Sequence, residues 1–66
     1  MSKIIFLDFD DYGRAYVGEE RFREYLQSMA EEGDYERESN GVVYFYNGGG
    51  CIIAEYHRNE GYGTTF

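Results

Sequence analysis

The spacing of apolar residues changes period at Gly33. Before it, Phe22, Tyr25, Leu26, Met29 and Ala30 recur at i, i+3, i+4, i+7 and i+8, the single apolar stripe of an amphipathic helix over residues 19–32. Glu19 and Glu20 suit the positive end of that helix, Glu19 and Arg23 form a favourable i,i+4 pair, and Gly33 is the expected left-handed stop. After Gly33 the period is two. Residues 34–38, 42–46 and 51–57 read as three antiparallel strands, separated by Ser39-Asn40-Gly41 and by Asn47-Gly48-Gly49-Gly50. Residues 4–9 are nearly continuously apolar, which predicts an inner strand ended by Asp10, Asp11 and Gly13. Residues 59–66, rich in Gly and Thr, either extend the last strand or fray.

The turns assign faces. With residues 47–50 as a loop, Phe45 faces Ile52 and Val43 faces Ala54 on the side the helix covers. Tyr44, Tyr46, Cys51, Ile53, Glu55 and His57 then share the other side. The first hairpin has two registers. A two-residue Asn40-Gly41 turn directs Glu36 and Glu38 toward the core, whereas a three-residue loop turns Tyr35 inward and Asp34, Glu36 and Glu38 outward. The second register is the one expected, because it spares the core two carboxylates. Tyr25 and Tyr35 are then inward, and Tyr44, Tyr46 and Tyr62 exposed. The expected architecture is α+β, a single domain over residues 1–66: strand, helix, then three strands, with the helix packed on one face of a small antiparallel sheet.

Composition narrows the function. A chain of 66 residues has a small core and no room for a large catalytic cleft, while 42% hydrophobic and 20% aromatic residues are too many for a disordered acidic tail. One cysteine, Cys51, cannot form an internal disulfide, and the apolar run at residues 4–7 is too short for a signal peptide or membrane span, so a reducing cytoplasm and no membrane are expected.

Thirteen acids against six Lys and Arg give a net charge of -7, and five acids crowd into Glu31, Glu32, Asp34, Glu36 and Glu38. Glu31 and Glu32 would lie at the negative end of the helix, where a carboxylate is disfavoured by about 0.3 to 1 kcal/mol. On a strand, Asp34, Glu36 and Glu38 would follow at about 6.7 Å on one face, comparable to the spacing of phosphates along a nucleic-acid strand. Arg37 is the only cation close in sequence, and it points to the opposite face. With Tyr44 and Tyr46 beside them, and Asp8, Asp10 and Asp11 as a second row, these acids form a candidate nucleic-acid mimic for the basic surface of a DNA- or RNA-binding protein.

A short, acidic, single-domain chain with one amphipathic helix and a small antiparallel sheet resembles the anti-CRISPR proteins of phages and mobile elements. The resemblance implies a non-enzymatic, stoichiometric and monomeric inhibitor of a Cascade-type effector, of type I-C. It would block target DNA in the host cytoplasm without cofactor or metal and without itself binding nucleic acid. The alternative is a small acidic adaptor that binds a protein partner through exposed tyrosines and apolar residues.

Other motifs carry less. Ile4-Ile5-Phe6-Leu7-Asp8-Phe9-Asp10 is similar to the first motif of haloacid-dehalogenase-type phosphatases, in which Asp8 would be the nucleophile and Asp10 the acid/base with Mg²⁺. It departs from that family in having no downstream lysine. The three aspartates lack the spacing of a calcium loop, and Gly48-Gly49-Gly50 lacks the Lys and Ser/Thr of a phosphate cradle. His57 is expected at the surface or an edge, and Cys51 as a small apolar filler.

Overall fold

The computed structural model describes residues 5–29 and 33–66. In chain order these form β1 (Arg14–Ala15), α1 (Glu19–Gln27), β2 (Tyr35–Ser39), β3 (Val42–Tyr46), β4 (Ile52–His57) and β5 (Tyr62–Thr65). All five strands join one antiparallel sheet in the order β1-β5-β4-β3-β2. The fold is α+β, with one more strand than the periodicity predicts.

Phe22 explains how the layers hold together. It is fully buried and its ring lies 5.9 Å from Phe45 and 5.6 Å from Tyr56, over a floor completed by Val43 and Ala54. Full burial of such a side chain contributes about 1.5–3 kcal/mol. Directly beneath it runs Gly63 of β5, where a Cβ would stand 2.3 Å from the Phe22 ring. The residues after 58 therefore neither fray nor lengthen β4. They turn back and insert between β4 and β1, because only a glycine lets the helix ring rest on the strand backbone.

The inner strand expected over residues 4–9 is not formed by residues 5–9, the part of it among the described residues: they lie outside the sheet, and the place beside β5 is taken by β1. Leu7 and Phe9 still pack against the core, Phe9 edge-on to Tyr25 at 5.6 Å, while Phe6 and Asp8 face outward. Asp10 then makes the turn into β1, its Oδ1 accepting from the N–H groups of Tyr12 and Arg14 at 2.9 Å.

The helix is shorter than the stripe suggests. Gly18 precedes it, Glu19 and Glu20 occupy its first turn, and it ends at Gln27, where the Ser28 hydroxyl donates to the Tyr25 carbonyl at 2.6 Å. The N–H of Met29 reaches only to Leu26 O, a tighter bond than that of an α-helix, and Met29 is 52% exposed instead of in the core. Gly33 has the expected positive φ of 94°, but the helix has stopped before it. Ala30, Glu31 and Glu32, the predicted last turn, lie outside the described residues.

Candidate functional site

The site is set by the first hairpin. Asn40 and Gly41 have φ of 52° and 81°, and Ser39 pairs with Val42, so the connection is the two-residue turn whose left-handed residues suit strand twist. This is the register opposite to the one expected. Glu36 stands opposite Phe45 and Glu38 opposite Val43, both on the helix side, while Tyr35, Arg37 and Ser39 face the other way. The expected outward row of Asp34, Glu36 and Glu38 alongside Tyr44 and Tyr46 is thus corrected: the glutamates and the tyrosines occupy opposite faces.

The helix side tolerates the two glutamates because β2 is an outer strand and cations reach them. Arg23 of α1 lies 3.1 Å from Glu36 and 3.0 Å from Glu19, and Arg58 holds Glu19 through two bonds of 2.6 and 3.1 Å while standing 3.8 Å from Glu38. Charges therefore alternate along Glu36, Arg23, Glu19, Arg58 and Glu38. The expectation that Arg37 is the only cation at hand fails because Arg58, distant in sequence, is brought back by the β4–β5 turn and anchored by its own N–H to Gly41 O at 2.9 Å. The Arg58 hydrogen bond, aided by both guanidinium charges and opposed by burial, holds the Glu19 carboxyl below its ordinary pKa, and the same bond raises Arg58. Glu36 and Glu38 nevertheless keep 46% and 50% of their side-chain surface exposed. Glu20 and Glu24, on the outer side of α1, are exposed and make no ion pair with any described residue.

The open face is aromatic. Tyr35 and Tyr46 stack at 5.0 Å with rings 4° from parallel, and Tyr35 is 43% exposed instead of inward. Tyr44 lies in a cross-strand row running Arg37, Tyr44, Glu55, Thr64, Arg14. Next to it His57, in an inner strand and not at an edge, stacks on Tyr62 at 4.6 Å, and Tyr16 adds a third ring at 5.5 Å. Tyr62 is buried by these neighbours, contrary to the expectation of exposure, and burial pushes its hydroxyl pKa up. A hydrogen bond with Tyr16 raises Arg14, whose guanidinium lies 4.8 Å from the centre of the Tyr62 ring. Sheet alternation puts Glu36 and Glu38 on the helix side with Glu19, Glu20 and Glu24 of α1, and leaves Glu55 as the one carboxylate of the strands on the open face.

The second hairpin also departs from its expected pairing. Asn47 N–H bonds to Cys51 O, a three-glycine loop follows with Gly50 at φ 86°, and the register slips between Phe45 and Tyr46. Phe45 consequently faces Ala54 and Val43 faces Tyr56, two residues away from the predicted partners, though Val43, Phe45 and Ala54 keep their expected side. At this bulge Ile53 turns to the core and Ile52 is exposed, an exchange a strict alternation cannot foresee. Cys51 is exposed at the loop and is not a filler.

Asp8, Asp10 and Asp11 are all exposed, and the Asp10 carboxylate is engaged in its turn. The aspartates that resemble a phosphatase motif, Asp8 and Asp10, sit on irregular backbone, and the described residues 5–7 before them form no strand. Among the described residues no three His, Cys, Asp or Glu side chains gather to hold a metal ion, and no helix is long and apolar enough to cross a membrane. Compared with protein-family models, curated proteins and solved structures, the chain matches none.

Proposed function

We propose that the chain is a non-enzymatic inhibitor that binds one basic partner complex in the cytoplasm of a host cell and keeps nucleic acid off it. The surface that does this is the helix side, through the exposed Glu20 and Glu24 of α1 and the exposed parts of Glu36 and Glu38, with the exposed Asp8 and Asp11 as a further contribution. Glu31, Glu32 and Asp34 extend the same acidic run in sequence. The observation that carries the reading is segregation of charge: a formal net charge of -7 in a chain whose open sheet face sets its one strand carboxylate, Glu55, in a cross-strand row that also holds Arg14 and Arg37. A concentrated negative side is drawn to a groove lined with Lys and Arg, and association is fast and weakened by salt. The resemblance to anti-CRISPR proteins directs the choice of partner to Cascade-type effectors.

The test is to add the purified protein to a panel of such effectors, type I-C included, and measure target-DNA binding at low and raised salt. The expected result is loss of DNA binding to one effector at equimolar protein, relieved by salt. DNA binding unchanged across the panel would reject the reading.

The exposed Tyr35–Tyr46 stack favours a second reading, an adaptor that meets a partner protein through the open face. Such binding would persist at raised salt and would not be displaced by DNA.

A further inference from the structure

β2 is the outer strand of the sheet over all five of its residues, and no described strand lies beyond it. The ladder says which of its backbone groups are free. Arg58 N–H donates to Gly41 O, which directs the backbone of Gly41, Val43 and Phe45 toward β4. Val42, Tyr44 and Tyr46 therefore bond to Ser39, Arg37 and Tyr35, and the N–H and C=O groups of Glu36 and Glu38 point out from the edge. The same two residues carry their carboxylates on the helix side, half exposed.

A strand added at this edge takes its backbone bonds from Glu36 and Glu38 and sets its own alternate side chains beside their carboxylates. Lys or Arg at those positions extends the alternating charges already formed with Arg23 and Arg58. A second copy of this chain paired antiparallel does not fit. Antiparallel pairing of β2 with β2, with both helices on one side, sets glutamate against glutamate and Arg37 against Arg37 or a neutral residue, which guards the edge against self-association. We infer that β2 is a recognition edge for an extended segment of a partner protein carrying Lys or Arg at alternate positions, bound by strand addition. This interaction concerns the backbone edge and does not depend on competition with nucleic acid.

The experiment uses the full chain and a capped eight-residue peptide of alternating lysine and threonine, compared with the same peptide N-methylated on the amides that would face β2. Both carry the same charge, and only the first can complete a ladder. Amide exchange is followed by NMR. In the free protein the Glu36 and Glu38 amides should exchange fast and those of Arg37 and Ser39 slowly. With the unmodified peptide the Glu36 and Glu38 amides should become protected, and its affinity should exceed that of the methylated peptide at least tenfold. Glu38→Pro, which removes an outward N–H but no bond to β3, should remove that preference. Equal affinity of the two peptides, or binding without protection of Glu36 and Glu38, would show attraction by charge alone and overturn strand addition; no binding of either peptide would overturn it as well.

Discussion

The two faces of the sheet are made from the same strands and differ by one residue of register. On the helix side, alternation delivers Val43, Phe45, Ala54 and Tyr56 to a core closed by Phe22, with Glu36 and Glu38 at its margin held by arginines. On the open side it delivers Tyr35, Tyr44, Tyr46, His57 and Tyr62, with Tyr35 stacked on Tyr46 and His57 on Tyr62 and no described helix above them. Stability and negative charge thus share one face and aromatic contact area has the other. The row of Glu36 and Glu38 on one face with Tyr44 and Tyr46, as the outward register of β2 would have made, is not formed.

Changes in the core beneath the helix should unfold the protein, whereas changes among the surface charges and on the open side should leave it folded. The largest effect is expected from Phe22→Ala, which empties the centre of the core and should lower unfolding stability by about 3–5 kcal/mol, read by denaturant titration. In a domain of this size that approaches the whole stability. Gly63→Ala comes next: its methyl group collides with the Phe22 ring, and overpacking of this kind costs about 1–3 kcal/mol. A Tm equal to that of wild type would mean that β5 does not run beneath the helix.

Smaller effects separate the charge chain from the stack. Glu19→Gln removes the carboxylate shared by Arg23 and Arg58 and should cost about 1 kcal/mol or less, as half-exposed pairs do. Its signature is in pH. The Glu19 carboxyl is held below its ordinary value, so its contribution is complete above that value and disappears as pH falls through the lowered one. Wild type should therefore lose stability on acidification below the usual carboxylate range more steeply than Glu19→Gln. Parallel acid profiles would remove Glu19 from the network. The smallest effect should come from Tyr35→Ala, which leaves Tyr46 unstacked at the rim for about 0.5–1 kcal/mol and does not disturb the helix side.

Much of the fold was legible because periodicity is a direct record of burial. The Phe22, Tyr25, Leu26 stripe, the strand Val42–Tyr46 and the inward side of Val43, Phe45 and Ala54 followed from it. What escaped depended on residues far apart in the chain. Nothing near Gly63 announces that Phe22 lies over it, and the apolar run at residues 4–9 reads as a strand although β1 takes the place beside β5. The register of β2 was within reach. Asn40-Gly41 is the strongest short signal for a two-residue turn, but it was outweighed by the cost of turning Glu36 and Glu38 inward. That cost vanishes once Arg23 and Arg58 converge on them, and Arg58 arrives from a turn that local pattern cannot position.

The measurement that tests the division of labour between the faces is the concentration of protein needed to displace target DNA from the susceptible Cascade-type effector, for wild type, Glu20→Lys/Glu24→Lys and Tyr35→Ala. If the acidic helix side competes with DNA, the charge-reversed variant should need at least tenfold more protein and Tyr35→Ala the same amount as wild type. Loss of competition in Tyr35→Ala, with the charge-reversed variant as effective as wild type, would contradict mimicry and assign the partner to the open face.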